Sequence, residues 1–148
     1  MINVHKKGMV KVLKEKIKNE DDFAVDIHNS DGDLIIKERK GSSFFIMLGS
    51  IEKEYNINIE VPQKVNLKID GDDDNYNINN ISGSIDINFD DGKADIVGCD
   101  GSDFRFIADD ADIYLDKIEG KLYLDFDDGN FSAINGKLKE FNIISDDG

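Results

Sequence analysis

Acidic pairs recur along the second half of the chain, at Asp73-Asp74, Asp90-Asp91, Asp109-Asp110, Asp127-Asp128 and Asp146-Asp147, spaced by 17, 19, 18 and 19 residues. Gathered carboxylates suit two kinds of chemistry. They offer the oxygen ligands that calcium prefers, and in a partly dry cleft two acids with separated pKa values can run general acid–base catalysis. The calcium candidates are the turns at Asp90, Asp91, Asp109, Asp110, Asp127 and Asp128. Brought within about 5 Å of one another, such pairs would repel by roughly 1 kcal/mol or more, which a bound cation would relieve. The segment DGDDDNYNINNI from Asp70 matches an EF-hand loop at its first, third and fifth positions. It then departs, with Asn75 where the loop's glycine belongs and Ile81 where its bidentate Glu belongs. The nonapeptide calcium-roll pattern is absent. Asp and Asn also accumulate in tight turns because they tolerate those conformations and bond nearby backbone. That is the simpler reading of the pairs, and no metal or other cofactor is assigned.

Other reactive types are sparse. The one cysteine, Cys99, excludes an internal disulfide and a Cys-rich metal site. It aligns with Ile81 and Ile118 one repeat away on either side, as a small core residue would. His5 and His28, the only histidines, are far apart in sequence and lack Cys partners. No Gly-x-Ser-x-Gly, phosphate loop or dinucleotide fingerprint occurs. Tyr76 alternates with Ile78 and should point inward. Tyr114 and Tyr123 lie between inward positions and should face solvent, where with Lys121 they could form a sugar or protein contact patch.

The elements that must carry these residues are legible from a second marker. Gly83, Gly101 and Gly120 are spaced by 18 and 19 residues, half a repeat away from the acidic pairs. Between markers the apolar residues alternate: Ile85, Ile87 and Phe89, then Phe104, Phe106 and Ala108 after one inserted residue, then Leu122, Leu124 and Phe126. The insertion has the character of a β-bulge. On the other half-repeat Ile78, Ile96 and Leu115 correspond. In the last repeat Gly136 comes early, and the alignment blurs. Period-2 alternation over five to seven residues means a strand with one buried face. Two such strands per repeat make one coil of about 18 residues, and parallel stacking of coils builds apolar columns. The fold expected is therefore all-β, a single-domain β-solenoid of the parallel β-helix kind over residues 1–148. Within it, 71–148 form the regular acidic repeats and 1–70 a less regular, strand-rich part or cap. Strands are expected in FAVDIHN, DLIIKER, SFFIML, YNINIEV and VNLKI, and Met9–Lys18 reads as helix or strand.

Charge follows the same division. Residues 1–70 balance 12 Lys/Arg against 12 Asp/Glu, whereas 71–148 hold 6 against 20, so the repeats carry the whole net charge of −14. Such a surface repels phosphate backbones and anionic membranes, which argues against nucleic-acid binding. The N-terminus has no apolar run of a signal peptide, and no stretch approaches the ~18–20 apolar residues of a membrane helix. A soluble chain is expected. Ending at SDDG leaves the last strands as an uncovered edge, which predicts a homodimer through the C-terminal coil or a chain cut short.

The succession FAVDIHNSDGDLIIKER, NINIEVPQKVNLKI and then repeats such as NISGSIDINFDDG resembles the bacterial adhesin-domain family over roughly residues 23–148. That family shows a strand ending in Val-Pro, a following strand, and repeats of the form hydrophobic-Ser-Gly-polar-hydrophobic-polar-hydrophobic. The resemblance implies a β-solenoid, often of the cell envelope or secreted, with a poorly defined biochemical role and no catalytic residues. The absence of a leader here departs from it. The function expected is non-enzymatic: an adhesin-like binding or scaffold protein that meets a protein or glycan partner through an acidic repetitive β-face. The alternative is a calcium-stabilised binding module built on the stacked Asp turns. A glycan-active β-helix enzyme is a lesser one, since two- to four-residue loops leave little to build a groove from.

Overall fold

The computed structural model describes residues 2–5, 11–16, 24–30, 33–39 and 55–146, with side chains from Glu60 to Asp146. The described residues form twelve strands and no helix. In chain order these are β1 (Ile2–His5), β2 (Lys11–Lys16), β3 (Ala24–Ser30), β4 (Asp33–Arg39), β5 (Tyr55–Glu60), β6 (Asn66–Asp70), β7 (Asp74–Asn79), β8 (Ile85–Phe89), β9 (Gly92–Val97), β10 (Asp103–Asp116), β11 (Glu119–Ile134) and β12 (Lys137–Ser145).

From β6 onward the chain is a β-solenoid. One parallel sheet stacks β6, β8, the first half of β10, the first half of β11 and β12. A second stacks β7, β9 and the second halves of β10 and β11. The chain crosses from the first sheet to the second at each acidic pair, and in β10 and β11 it does so without leaving the strand. Alternating apolar residues meet between the sheets in columns. Leu67, Ile85, Phe104 and Leu122 are successive register partners, as are Ile69, Ile87, Phe106 and Leu124 on one sheet and Ile78, Ile96 and Leu115 on the other. All of these are buried, and no polar or charged side chain joins them. Fully burying each large side chain contributes on the order of 1.5–3 kcal/mol, which is the main force holding the coils in stack.

Register pins the inserted residue and resolves the blurred end. Phe104 faces Ile85 and Leu122 faces Phe104, so the extra residue lies just after Gly101. A second irregularity between Gly120 and Lys121 skips Lys139, because Gly120 pairs with Leu138 and Lys121 with Glu140. Glu119 pairs with Lys137, so Gly136 falls in the column of Ile118 and Leu138 in the column of the glycines. Apolar residue and glycine have exchanged places. The exchange is sterically allowed, since a Cβ on Gly136 would meet nothing closer than the Ile118 carbonyl oxygen at 3.4 Å. On Gly101, by contrast, a Cβ would run into the carbonyl oxygen of Gly83 in the coil below.

The opposite corner uses a column of left-handed residues: Asn80 (φ 57°), Gly98 (φ 66°), Lys117 (φ 53°) and Asn135 (φ 52°). There the backbone reverses from the second sheet back to the first. The N–H of Asn80, Gly98 and Lys117 donates to the carbonyls of Val97, Asp116 and Ile134 at 3.0, 2.9 and 3.1 Å, clamping each turn to the next coil.

The N-terminal strands are not further coils. β1 lies antiparallel to both β6 and β4, and β4 is antiparallel to β3, so the first solenoid sheet continues as antiparallel strands. β1 thereby pairs the β6 edge, as a cap would. Lys11–Lys16 is a strand, antiparallel to β5. The expected strand SFFIML falls outside the described residues, as do the side chains of His5 and His28.

Candidate functional site

The acidic pairs do stack. Asp109 and Asp110 N–H both donate to the Asp90 carbonyl, at 3.1 and 3.2 Å, Asp74 N–H donates to the Asp91 carbonyl at 3.2 Å, and Asp110 is the register partner of Asp128. The result is an edge lined by Asp72–Asp74, the pairs at 90–91, 109–110 and 127–128, and Asp146, with every carboxylate exposed to solvent. No lysine or arginine occupies these turns. Half of the acidic residues after position 70 therefore lie on this one edge, which is where the excess charge is concentrated, rather than on a sheet face.

The carboxyls sense one another. Asp90 is raised above the ordinary carboxylate range by partial desolvation between turns, then by the charges of Asp109 and Asp72 and a hydrogen bond shared with Asp72. Asp91 is raised by the same desolvation and by Asp73, Asp110 and Asp109. Asp127 is raised by desolvation and by Asp146 and Asp109. Desolvation leads in all three, and the crowding of like charges adds to it. Among the described residues, no group of three or more Asp, Glu, His or Cys is arranged to hold a metal ion.

The contact patch expected from Tyr114, Lys121 and Tyr123 does not assemble as one surface. Tyr123 and Lys121 lie on the first half of β11, facing outward from the first sheet, with Arg105 and Asn142 as the register partners of Tyr123. Tyr114 lies on the second half of β10, between Asp95 and Ser132 on the other sheet. The reason is the crossing at Asp109-Asp110. Alternation decides whether a side chain points outward, but the corner decides from which sheet.

Tyr123 is instead one rung of a ladder running up the coils. Arg105 places its guanidinium 5.7 Å from the Tyr123 ring centroid and bonds Asp86 Oδ1 at 3.0 Å through Nη1. The Tyr123 hydroxyl donates to Asp125 Oδ2 at 3.0 Å, and this bond is the first cause of its raised pKa. Alongside, Lys121 Nζ meets Glu140 Oε1 at 2.8 Å. The second sheet has its own ladder. Asn130 Nδ2 donates to Asp112 Oδ1 at 2.8 Å and Lys93 Nζ lies 3.4 Å from Asp112 Oδ2, so that first the Asn130 bond and then Lys93 hold the Asp112 carboxyl below its usual range. Arg105, Asp86, Lys93 and Asp112 were not singled out by type. Their signal is spacing: Asp86, Arg105 and Tyr123 follow one another at 19 and 18 residues, the period of the repeat.

Cys99 is buried next to the left-handed corner, in the column of Ile81 and Ile118. It accepts from Ile81 N–H at 3.4 Å and lies 3.6 Å from the Val97 carbonyl, and desolvation is the first cause of a thiol pKa raised above the usual value. A buried thiol with a raised pKa is a poor nucleophile.

At the last coil the columns end in partly uncovered residues. Phe141 and Ile143, partners of Leu122 and Leu124, are 54% and 37% exposed, and Phe131 stacks on Phe141 with centroids 6.2 Å apart. Among the described residues no strand pairs the outer edge of β12. No helix of the described residues is long and apolar enough to cross a membrane.

Compared with family models, curated proteins and solved structures, the chain finds no match in any of the three.

Proposed function

We propose that this protein is a non-enzymatic, adhesin-like binding or scaffold module that engages a protein or glycan partner by multivalent contact along its coils. The observation that carries the reading is the alignment of outward side chains into ladders on a fully packed, apolar frame. Asp86, Arg105 and Tyr123 on one sheet, and Lys93, Asp112 and Asn130 on the other, repeat at the spacing of strands in a sheet, about 4.8 Å. Each rung is held by its neighbours, so a partner meets a surface already ordered and little entropy is lost on binding. The aspartate edge adds long-range attraction for a basic partner and repels anionic ones. Self-association through the outer edge of β12, which no strand pairs among the described residues, belongs to the same reading, because an uncovered strand edge is a template for another strand.

The test is binding of the purified chain to arrays of neutral glycans and of basic peptides, repeated with Arg105→Ala, Tyr123→Ala and the double variant Asp90→Asn/Asp109→Asn. Loss of binding in a variant that melts like the parent supports the reading and locates the contact. Turnover of any glycan on the array overturns it in favour of an enzyme.

A further inference from the structure

Asn135-Gly136 is the one Asn-Gly dipeptide in the chain, and it sits in the last left-handed turn, with both residues exposed. We propose that this turn is a site of spontaneous deamidation, at which the protein converts its own Asn135 to aspartyl and isoaspartyl forms. In the step, the backbone nitrogen of Gly136 loses its proton to solvent and attacks the side-chain carbonyl carbon Cγ of Asn135. The departing Nδ2 takes a proton back from solvent as the Cγ–Nδ2 bond breaks, ammonia leaves, and a five-membered succinimide closes. Water then opens the ring at Cγ, restoring a normal backbone with Asp at 135, or at the main-chain carbonyl, leaving an isoaspartyl link. The balance is Asn plus water to Asp plus ammonia, with no change of oxidation state.

Three features select this residue. First, attack needs an unhindered nitrogen, and Gly136 presents one without a Cβ. Asn80, in the equivalent turn, is followed by the buried, branched Ile81, and Asn130 by Phe131. Second, the attack requires Asn135 to leave its left-handed conformation, so local opening of the turn controls the rate. The next strand, β12, is paired on one side only among the described residues and carries exposed apolar residues, so its opening costs less than that of an interior coil. Third, the product changes the contact that Asn135 makes. Its Nδ2 donates to Asp116 Oδ1 at 2.9 Å, tying the turn to the coil below. Deamidation replaces that donor with a carboxylate against a carboxylate, and the isoaspartyl form also adds a methylene to the turn backbone. Modification therefore loosens the terminal half-coil, the same part that exposes Phe141 and Ile143.

The experiment is incubation of the folded chain in mildly alkaline buffer, followed by peptide mapping for a gain of about one dalton and for the paired aspartyl and isoaspartyl isomers. Asn135 is expected to convert several-fold faster than any other asparagine in the chain. Gly136→Ala is expected to slow it several-fold without lowering the melting temperature, because a Cβ there finds room and no positive φ is needed. As an independent readout, Asn135→Asp should lower the melting temperature and Asp116→Asn should restore it. An Asn135 that stays intact while another asparagine converts, or an undiminished rate in Gly136→Ala, overturns the proposal.

Discussion

Lys117 occupies the same left-handed turn as Gly98, one coil further along, with φ 53° against 66°. Glycine adopts that conformation freely, whereas a residue with a Cβ pays about 1–2 kcal/mol for it. Asn80 and Asn135 fill the same column, and asparagine tolerates the region better than lysine does. The ion pair that Lys117 makes with Asp116, long at 3.7 Å and with its lysine end largely exposed, offsets little of this. Lys117→Asn is therefore expected to stabilise the fold by about 0.5 kcal/mol. Thermal melting would read this as a rise of about 1–2 °C. A lower melting temperature would mean that the lysine holds the corner in some other way.

Position along the stack sets the worth of an aromatic residue. Phe106 is wholly buried in an interior coil, and Phe106→Ala is expected to cost about 3–5 kcal/mol, from lost burial and the cavity it leaves. Phe141 is more than half exposed at the end of the neighbouring column, so Phe141→Ala should cost under about 1.5 kcal/mol. Urea unfolding of the two variants measures both losses. Equal losses would require the last coil to be covered in solution.

How much of this was legible in the residues depends on what kind of signal each feature leaves. The apolar columns read directly, because strand alternation repeated at a constant period leaves the same residue type at Ile87, Phe106 and Leu124. The acidic turns read for the same reason. The left-handed corner did not, since Asn80, Gly98, Lys117 and Asn135 share a backbone angle and no side-chain type. Gly136 misled the alignment because the last coil exchanges glycine and apolar positions, which register shows and composition hides. Alternation alone groups Tyr114 with Tyr123, because it fixes inside from outside but is silent on which sheet. The antiparallel N-terminal strands carry no period, so only pairing reveals that β1 closes the β6 edge.

Cys99 gives a local probe of the corner. Its thiol is buried and its pKa raised, so a thiol reagent should label it only as fast as the fold opens. Labelling is expected to be slow in buffer and complete in denaturant, with the slow rate following global stability across the variants above. Rapid labelling of the folded chain would show that the corner column opens separately from the core.

The aspartate edge makes a prediction whose sign differs from ordinary acid denaturation. Asp90, Asp91 and Asp127 are raised in the folded state above the ordinary value of 3.8, so the fold takes up their protons before the unfolded chain does. Their stabilising contribution is complete below the unfolded pKa and is lost as pH rises through the folded one. Asp112, held low by Asn130 and Lys93, has the opposite sign: its contribution is present above the unfolded value and lost as pH falls through the folded one. The melting temperature should therefore rise on mild acidification from neutral pH, then fall once Asp112 is protonated. Asp90→Asn should raise the melting temperature at neutral pH and lose that advantage in mild acid, since it removes the repulsion that protonation removes. Added sodium chloride should also raise it, by screening. Calcium at matched ionic strength separates screening from ligation. Equal shifts leave the edge as a hydrated row of charges, and a markedly larger shift with calcium, abolished by Asp90→Asn, would make it a cation site.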